Sequence, residues 1–379
     1  MKILQIIPYF TVIRGGDVAV AYNLSGHLVK RGHDVTILTT DFEFDKEYAK
    51  TIEKEGVKVI PFHCINIVLF LISPSMKKWL KRNIKNFDII HLHDFRSYQN
   101  YIAHYYAKKH MIPYVLQAHG SLPRIIEKQK LKKLYDRILG YRLLKDASKV
   151  IALTKTEAEQ YKEMGVDKAK IINVPNGINL LEYGKLPEKG GFRRKYEIKD
   201  DEKIVLYIGR LHKTKGIDLL GEAFSEVSKE LDNVILVLGG PDDGYRSALE
   251  ELIKALKVDD KVLFTGFVTP EEKKAVLVDA DVFVLPSFLG FPVTFLEACA
   301  CGTPIITTNN GDTLDWIHGK VGYVVEYDKD QLRDAIYKVL SDEGLRKRFG
   351  EEGKKLMVKK FAWDNIVKEV ENVYEGVIV

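Results

Sequence analysis

Short runs of apolar residues alternate with longer amphipathic stretches along the whole chain. The first half contains the runs KILQIIP, DVTILTT, VKVIPFH, FDIIHLHD, PYVLQAH, KVIALT and IINVP, and helical patterns such as 18–31 and 98–110 separate several of them. The second half repeats the arrangement with KIVLYIG, VILVLGG, KVLFTG, DVFVLPS, PIITTN and GYVVEY. Continuous apolar strands that alternate with helices are typical of parallel sheets covered on both faces. The pattern predicts an α/β protein with two doubly wound domains that face a central cleft.

The domain boundary is indicated by a change in local composition. The segment PNGINLLEYGKLPEKGG at 175–191 has the Pro and Gly punctuation of an interdomain connection. We therefore predict an N-terminal domain at 1–180, a linker at 181–190 and a C-terminal domain at 191–361. A chain of 379 residues fits two domains of about 150 residues or slightly more.

Composition argues against several classes of protein. No apolar run approaches the roughly 18 residues that a membrane span needs. The three cysteines, Cys64, Cys299 and Cys301, lack metal-ligand spacing and predict no disulfide framework. The opening MKILQIIPYF is typical of a first strand, because no small-residue cleavage site follows it. These features predict a cytoplasmic protein.

Charge is distributed unevenly along the chain. The net charge is +5, but residues 1–180 carry +12 and residues 181–379 carry −7. The segment 124–149 holds nine basic and three acidic residues. It also places apolar residues at helical spacing, which predicts a basic amphipathic helix; these residues are Ile125, Leu131, Leu134, Ile138 and Leu139.

Two interpretations of this basic helix remain open. It is either the solvated face of a Lys- and Glu-rich, thermophilic protein, or a surface for an anionic membrane or an anionic acceptor. The second interpretation would place the protein at the cytoplasmic face of a membrane. No nucleic-acid-binding motif accompanies the charge, so we predict no nucleic acid partner.

Ligands of open parallel sheets bind beyond the carboxyl ends of the strands. In this sequence, two glycines follow the first predicted strand. Gly15 and Gly16 open a turn into a helix, where backbone N–H groups can approach a phosphate or sugar. The fingerprint G-x-G-x-x-G is absent there, which argues against an NAD enzyme. His119 follows a later strand and could donate to a substrate or satisfy a carbonyl. His93 and Asp94 occupy an equivalent position, as structural or acceptor-side residues.

The second half carries two cations after its first strand. Arg210 and Lys215 flank the loop in YIGRLHKTKG. A guanidinium fork and an ammonium point charge together suit a diphosphate.

A later loop, PSFLGFP, leads into the helical segment VTFLEACACG. Free N–H groups and the helix dipole predict an anion site at Gly290–Thr294. Glu297 lies one turn into this helix, where its oxygens could accept two hydroxyls of a ribose. The alternative is an ordinary acid stabilised by the dipole.

Together these motifs resemble the retaining GT-B glycosyltransferases of the group 1, family 4 type, which include sucrose- and lipopolysaccharide-type transferases. The resemblance runs from RGGDVAVAYNLSGHLVKRGHDVTIL through VPNGIN, GRLHKTKG, FTGFV and ADVFVLPS to LEACACGTPII. It implies two Rossmann-like domains, with the C-terminal domain holding a nucleotide-sugar donor. The closing FAWDNIVKEVENVYE resembles the family's last helix, so segment 362–379 is expected to pack back on the first domain.

The resemblance also implies roles for individual residues. The catalytic set is His119, Arg210 and Lys215. The donor-binding set is Gly16, Arg210, Lys215, Gly266, Phe267, Val268, Gly290, Phe291, Pro292, Val293, Thr294 and Glu297. The acceptor side is assigned to Gly15, Asp94 and Arg124. No metal and no cofactor are expected, because cations and helix N-termini stabilise the leaving group in this family.

The implied reaction moves a sugar from a UDP-, GDP- or ADP-linked donor to a glycan, glycolipid or other hydroxyl acceptor with retention. The sequence departs from the family at Leu289, where the first of two glutamates separated by seven residues is usual. A leucine cannot accept the hydrogen bonds of a sugar. A nucleotide-binding, catalytically weakened relative is therefore an alternative. A sugar-nucleotide epimerase is a third, although no clear acid–base set for proton abstraction stands at the strand ends.

Overall fold

The computed structural model describes residues 1–14, 16–67, 70–124, 128–288, 290–310 and 315–378. The chain divides into two units. The first comprises Met1–Gly177 together with the C-terminal segment from Trp363, and the second comprises Ile178–Ala362. The sequence placed the division further along the chain, at a linker over 181–190.

The first unit is built on a parallel sheet of seven strands in the order β3-β2-β1-β6-β7-β8-β9. The strands of this unit are β1 (Lys2–Ile6), β2 (Asp34–Thr40), β3 (Lys58–Phe62), β4 (Ile65–Ile67), β5 (Phe70–Ile72), β6 (Ile89–His93), β7 (Tyr114–Gln117), β8 (Lys149–Ala152) and β9 (Ile171–Asn173). Strands β4 and β5 pair separately and antiparallel. The helices are α1 (Gly16–Lys30), α2 (Lys46–Glu53), α3 (Pro74–Asn83), α4 (Tyr98–His110), α5 (Gln129–Tyr135), α6 (Tyr141–Asp146) and α7 (Lys155–Glu163).

The core of the first unit lies on both faces of this sheet. Successive side chains of a strand point to opposite faces. In β1, Leu4 and Ile6 join one buried cluster, whereas Ile3 joins the other. Burial on both faces explains why the strands read as continuous apolar runs.

The second unit is a six-stranded parallel sheet in the order β12-β11-β10-β13-β14-β15. Its strands are β10 (Lys203–Ile208), β11 (Val234–Gly239), β12 (Val262–Gly266), β13 (Val282–Leu285), β14 (Ile305–Thr308) and β15 (Gly322–Val325). Its helices are α8 (Gly191–Lys195), α9 (Ile217–Glu230), α10 (Arg246–Ala255), α11 (Pro270–Asp279), α12 (Val293–Cys301), α13 (Lys329–Ser341) and α14 (Glu343–Leu356). The prediction of an α/β fold with two doubly wound parallel sheets is confirmed.

The last helix, α15 (Trp363–Glu375), belongs to the first unit although the second unit precedes it in sequence. Its buried residues Trp363, Ile366 and Val370 join the cluster that contains Ile3. Burial of this apolar face holds the C-terminal segment against the first sheet.

The basic helix differs from its prediction in extent and in orientation. Helical structure runs from α5 through a π-helical turn at Asp136–Gly140 to α6, so it begins at Gln129 and ends at Asp146. Leu131, Leu134 and Ile138 are 44%, 53% and 57% exposed. The face that supplied the amphipathic pattern is therefore largely solvated, and Tyr135, Leu143 and Leu144 supply the buried contacts. Within the part of the chain that the structure describes, no helix is both long enough and apolar enough to cross a membrane.

Candidate active site

Each sheet has one point where the strand order reverses. It lies between β1 and β6 in the first unit and between β10 and β13 in the second. Loops leave the carboxyl ends of neighbouring strands in opposite directions there, which opens a crevice for ligands. The loops that follow these four strands contain many of the residues predicted from sequence.

Arg210 and Lys215 both follow β10. Arg210 donates to the Asp243 carboxylate over 2.6 Å, and the Arg210 side chain is 65% exposed. Lys215 forms no ion pair with any described residue, and burial, followed by the charge of Arg210, lowers the pKa of Lys215. Of these two neighbouring cations, Arg210 is paired with a described carboxylate and Lys215 is not, so this loop has unused positive charge for an anion.

The loop after β10 lies against the loop after β13. Gly216 adopts φ 67°, and a Cβ there would stand 3.0 Å from Pro286 Cβ. A closer approach, to backbone, occurs at Gly240, where φ is 137° and a Cβ would lie 1.9 Å from the Gly209 carbonyl oxygen. Only glycine fits there, because a larger residue would separate the loops after β10 and β11.

The predicted anion site includes the N-terminus of α12. Gly290 adopts φ 72°, and Pro292 is the N-cap residue without a side-chain hydrogen bond to the first turn. Phe291 is buried and stacks on Trp316, with ring centroids 6.2 Å apart. Val293 and Thr294 are half-buried at the start of the helix. The helix therefore begins without a competing side-chain acceptor. Leu289 lies outside the described residues.

Glu297 is the fifth residue of α12 and is nearly buried. Its Oε1 accepts a hydrogen bond from the Lys273 ammonium at 2.6 Å, and its Oε2 is closed off from solvent without a partner. Burial, followed by the Glu297 carboxylate, raises the pKa of the neighbouring Tyr183. One carboxylate oxygen is thus held by a cation from α11, and the Tyr183 hydroxyl is a second neighbour of this carboxylate.

The stretch Gly266–Val268 begins at the last residue of β12. The Gly266 carbonyl oxygen accepts a hydrogen bond from the Gly240 N–H over 2.7 Å. Phe267 is 72% exposed. Val268 is half-buried. The structure therefore presents an aromatic ring to solvent at the strand's carboxyl end.

In the first unit, Gly16 is the first residue of α1 and is exposed, and a Cβ on it would meet no atom within 4 Å. Asp94 follows β6 with φ 63°. Burial, followed by the Asp17 carboxylate, raises the pKa of Asp94 well above its usual value. Gly15 lies outside the described residues. The helix start is unobstructed within this unit, and a strained acid stands at the adjacent strand end.

His119 follows β7 with φ 52°, a conformation that residues other than glycine rarely adopt. The backbone on both sides of it is held from α7. The Ala118 N–H donates to the Tyr161 hydroxyl over 3.0 Å, and the Gly120 N–H donates to the Glu157 carboxylate over 2.7 Å. Burial lowers the pKa of His119 to about 3. The imidazole is therefore neutral at physiological pH and held in one place.

Arg124, predicted on the acceptor side, lies within an ion-pair cluster. Its Nε donates to the buried Asp136 carboxylate over 2.7 Å, and Arg96 donates to the same carboxylate over 2.8 Å. Its other contacts include the Tyr141 hydroxyl at 2.9 Å. These contacts give Arg124 a structural task, and its assignment to the acceptor remains a prediction.

Several residues that shape these loops were missed by the sequence analysis: Gln5, Tyr161, Glu157, Asp243 and Lys273. Glu157 had a signal, because it stands three residues after the helix-capping Thr154. Gln5 had one as well, as an amide inside an apolar strand. No sequence pattern indicated Asp243 or Lys273, the partners of Arg210 and Glu297. Among the described residues, no group of three or more His, Cys, Asp or Glu side chains is arranged to hold a metal ion.

Comparison with known proteins identifies the family. The model for glycosyl transferases group 1 matches residues 189–356, and the model for glycosyltransferase family 4 matches residues 14–181. An uncharacterized glycosyltransferase of Methanocaldococcus jannaschii is 32% identical over 398 aligned positions, which cover 99% of this chain and 98% of that protein. The chain belongs to the group 1 glycosyltransferases. The predicted family and the prediction of a nucleotide-sugar glycosyltransferase are thereby confirmed.

A further relative and a solved structure are more distant. N-acetyl-alpha-D-glucosaminyl L-malate synthase of Bacillus anthracis is 26% identical over 373 positions, covering 96% of this chain and 94% of that enzyme. The crystal structure of Anabaena HepE in complex with UDP matches with a TM-score of 0.82 at 16% identity, covering 99% of this chain and 100% of that one. At that identity the likeness shows the shared GT-B fold.

Proposed function

We propose that this group 1 glycosyltransferase transfers a sugar from a nucleoside-diphosphate donor to a hydroxyl acceptor with retention of configuration. The observation that carries the proposal is the switch point of the second sheet, where Arg210 and Lys215 lie on one loop and the adjoining loop leads to the uncapped N-terminus of α12. Each of these groups favours a negative charge.

The chemistry follows from where charge develops. As the glycosidic bond breaks, the diphosphate gains negative charge, and groups already oriented toward it stabilise the transition state more than the ground state. Arg210 and Lys215 would neutralise that charge, and the Glu297 carboxylate would accept from the ribose. Neutral His119 would contact the transferred sugar. The acceptor oxygen would bond to the anomeric carbon on the face from which the diphosphate leaves, and its proton would pass to the departing diphosphate oxygen.

UDP is the first nucleotide to test. The Anabaena structural neighbour was crystallised with UDP and with UDP-glucose. GDP- and ADP-linked donors remain alternatives, because the predicted base contacts at Gly266–Val268 use the backbone.

The test is nucleotide release from a panel of UDP-, GDP- and ADP-sugars with glycan and glycolipid acceptors. Arg210→Ala and Lys215→Met should each lower kcat/KM about 10- to 100-fold, the value of one charge-assisted hydrogen bond. Lys213→Met is the matched control, because Lys213 is an exposed lysine of the same turn. Equal activity of all three variants would refute the assigned roles of Arg210 and Lys215.

A catalytically weakened, nucleotide-binding member of the family is the alternative, and Leu289 is the observation that favours it. Leu289→Glu restores the usual carboxylate. If the wild type binds UDP without turnover and the variant gains transfer activity, the hypothesis of a catalytically weakened enzyme is supported. Rapid turnover by the wild type excludes it.

We further propose that the basic helix α5–α6 contacts an anionic membrane surface that presents the acceptor. Leu131, Leu134 and Ile138 are exposed on this helix. A groove of about 860 Å³ lies between α4 and α6, and Ile138 is part of its lining. The groove is lined by Lys108, Lys109, Arg142, Lys145, Tyr101, Tyr105 and other residues. Lys109, Arg142 and Lys145 are exposed and form no ion pair with a described residue. Apolar side chains flanked by unpaired cations are typical of helices that bind anionic lipid interfaces.

Vesicle co-sedimentation tests this surface. Binding to vesicles rich in phosphatidylglycerol, and not to pure phosphatidylcholine, is expected, and Arg142→Glu with Lys145→Glu should abolish it. Lys185→Glu with Lys254→Glu makes the same charge change at exposed sites of the second unit and should preserve most of the binding. Equal losses in the two double variants would show that net charge alone is responsible.

A further inference from the structure

Polar side chains interrupt the apolar face of the first sheet near the carboxyl ends of its central strands. In β1, Gln5 alternates with Leu4 and Ile6, and it therefore shares the face of Ile3. In β6, His91 and His93 alternate with Ile90 and Leu92 in the same way. The register of β1 with β6 pairs Gln5 with His91. All three polar side chains are fully buried or nearly so.

These side chains connect to His119 by hydrogen bonds. The Gln5 Oε1 lies 2.9 Å from His93 Nε2, and His93 Nδ1 lies 2.9 Å from His119 Nε2. The two imidazoles are nearly parallel, with an interplanar angle of 13° and centroids 5.2 Å apart. The His119 Nδ1 is closed off from solvent and has no hydrogen-bond partner.

The direction of each hydrogen bond follows from the first acceptor. A carbonyl oxygen only accepts, so His93 Nε2 carries a proton. Burial lowers the pKa of His93 well below its usual value, so the ring is neutral and its Nδ1 holds a lone pair. His119 Nε2 must then donate. His119 is neutral as well, so its Nδ1 carries no proton.

We propose that Gln5 and His93 are positioning residues that fix His119 in the Nε2–H tautomer and leave its Nδ1 as an acceptor for a hydroxyl of the transferred sugar. The second clause rests on the proposed function, which places His119 beside that sugar. A buried acceptor without a partner costs free energy until a donor reaches it, and a sugar hydroxyl supplies that donor.

The tautomer has a consequence for specificity. An imidazole lone pair selects a group that can donate a hydrogen bond, so the sugar must carry a hydroxyl at this position. A deoxygenated sugar leaves the nitrogen unpaired, and a carboxylate places two acceptors against each other. Sites that hydrogen-bond a substrate hydroxyl discriminate strongly against analogues that lack it.

The direct test is nitrogen NMR of the protein labelled with ¹⁵N-histidine, without any nucleotide. His119, assigned by its absence in His119→Gln, is expected to show an unprotonated Nδ1 and a protonated Nε2. A protonated Nδ1 in the wild type would overturn the proposal, since the hydrogen bonds would then run in the opposite direction from a reversed Gln5 amide.

Gln5→Leu tests the origin of the tautomer, and Gln99→Leu is its matched control. Gln99 is a buried amide of α4 whose side chain donates to the Leu71 carbonyl oxygen. The first variant should shift His119 toward a mixture of tautomers, and the second should leave it unchanged. An unchanged spectrum in Gln5→Leu, with the variant folded by circular dichroism, would rule out control by Gln5.

A second experiment measures kcat/KM with UDP-glucose and with its monodeoxy analogues. In the wild type, one analogue should lose about tenfold or more in kcat/KM. Gln5→Leu should lose a similar factor with UDP-glucose and little more with that analogue. Equal discrimination by both proteins would refute the role of the tautomer. No turnover of UDP-glucose would count against the donor proposal alone, because the spectrum decides the tautomer without a donor.

Discussion

Arg210 donates to the Asp243 carboxylate over 2.6 Å, and neither side chain is buried. Asp243 thus already binds Arg210, which is one of the two cations that are proposed to bind the diphosphate. A ligand must therefore compete with Asp243 or share the guanidinium with it. Exposed ion pairs contribute little free energy, so the competition is weak and measurable only as a modest change in affinity.

We expect Asp243→Asn to raise the affinity for UDP about two- to fivefold, because the neutral amide releases Arg210. Isothermal titration calorimetry measures the change. Asp232→Asn, at an exposed position elsewhere in the unit, is the control. Weaker binding by Asp243→Asn would mean that Asp243 holds Arg210 in its binding orientation.

Gly16 allows a second test at the residue scale. A Cβ at this position meets no atom within 4 Å, so Gly16→Val should leave the folding of the first unit nearly unchanged. A ligand that approaches the start of α1 would collide with the new side chain. We expect transfer to fall at least tenfold while the thermal midpoint stays within a few degrees. Full activity would show that no substrate approaches Gly16.

At the scale of elements, α8 depends on a buried carboxylate from the end of α11. Asp279 is 1% exposed and accepts from the N–H groups of Gly190, Phe192 and Arg193, at 2.5, 2.9 and 3.1 Å. These N–H groups stand at the N-terminus of a helix of five residues, too short to be stable alone.

We expect Asp279→Ala to lower the stability of the second unit by about 3 kcal/mol, because several buried donors lose their acceptor. Hydrogen exchange of the β10 and α8 amides under increasing urea measures the loss. Asp201→Ala, an exposed position near the same segment, should change it little. A similar effect in both variants would contradict the assigned role of Asp279.

At the scale of the whole molecule, buried neutral histidines make stability depend on pH. Burial lowers the pKa of His91 and His119 to about 3, from an ordinary value of 6.5, and lowers that of His93 in the same direction. The unfolded chain therefore binds more protons between pH 6.5 and 3. Their contribution is fully present above pH 6.5 and is lost as the pH falls. Asp94, whose pKa is raised, acts in the opposite direction.

We expect the free energy of unfolding of the first unit to fall from pH 7 to pH 5, since three histidines outweigh one carboxyl. Each histidine contributes a slope of about 1.4 kcal/mol per pH unit. Hydrogen exchange of β1 and β6 amides across this range measures the slope. His91→Gln should reduce the slope by one histidine's share, whatever its effect on absolute stability. An unchanged slope would mean that His91 is protonated in the folded protein.

The sequence by itself determined the strands, most of the helices and the fold class. Apolar runs and helical periodicity are local properties, and parallel strands place the following loops at one edge. That rule was enough to single out Arg210, Lys215 and His119 as residues of the candidate site. The basic helix was also recognisable, although its exposed apolar face was not.

Only the tertiary structure decided which groups these residues meet. Gln5 and His93 are 88 positions apart, and Arg96 and Arg124 come from two different loops to meet at the Asp136 carboxylate. Strand order and register bring such groups together, and neither is encoded in any short window of sequence. Burial then sets the protonation of the histidines, because the cost of a charge depends on everything packed around it.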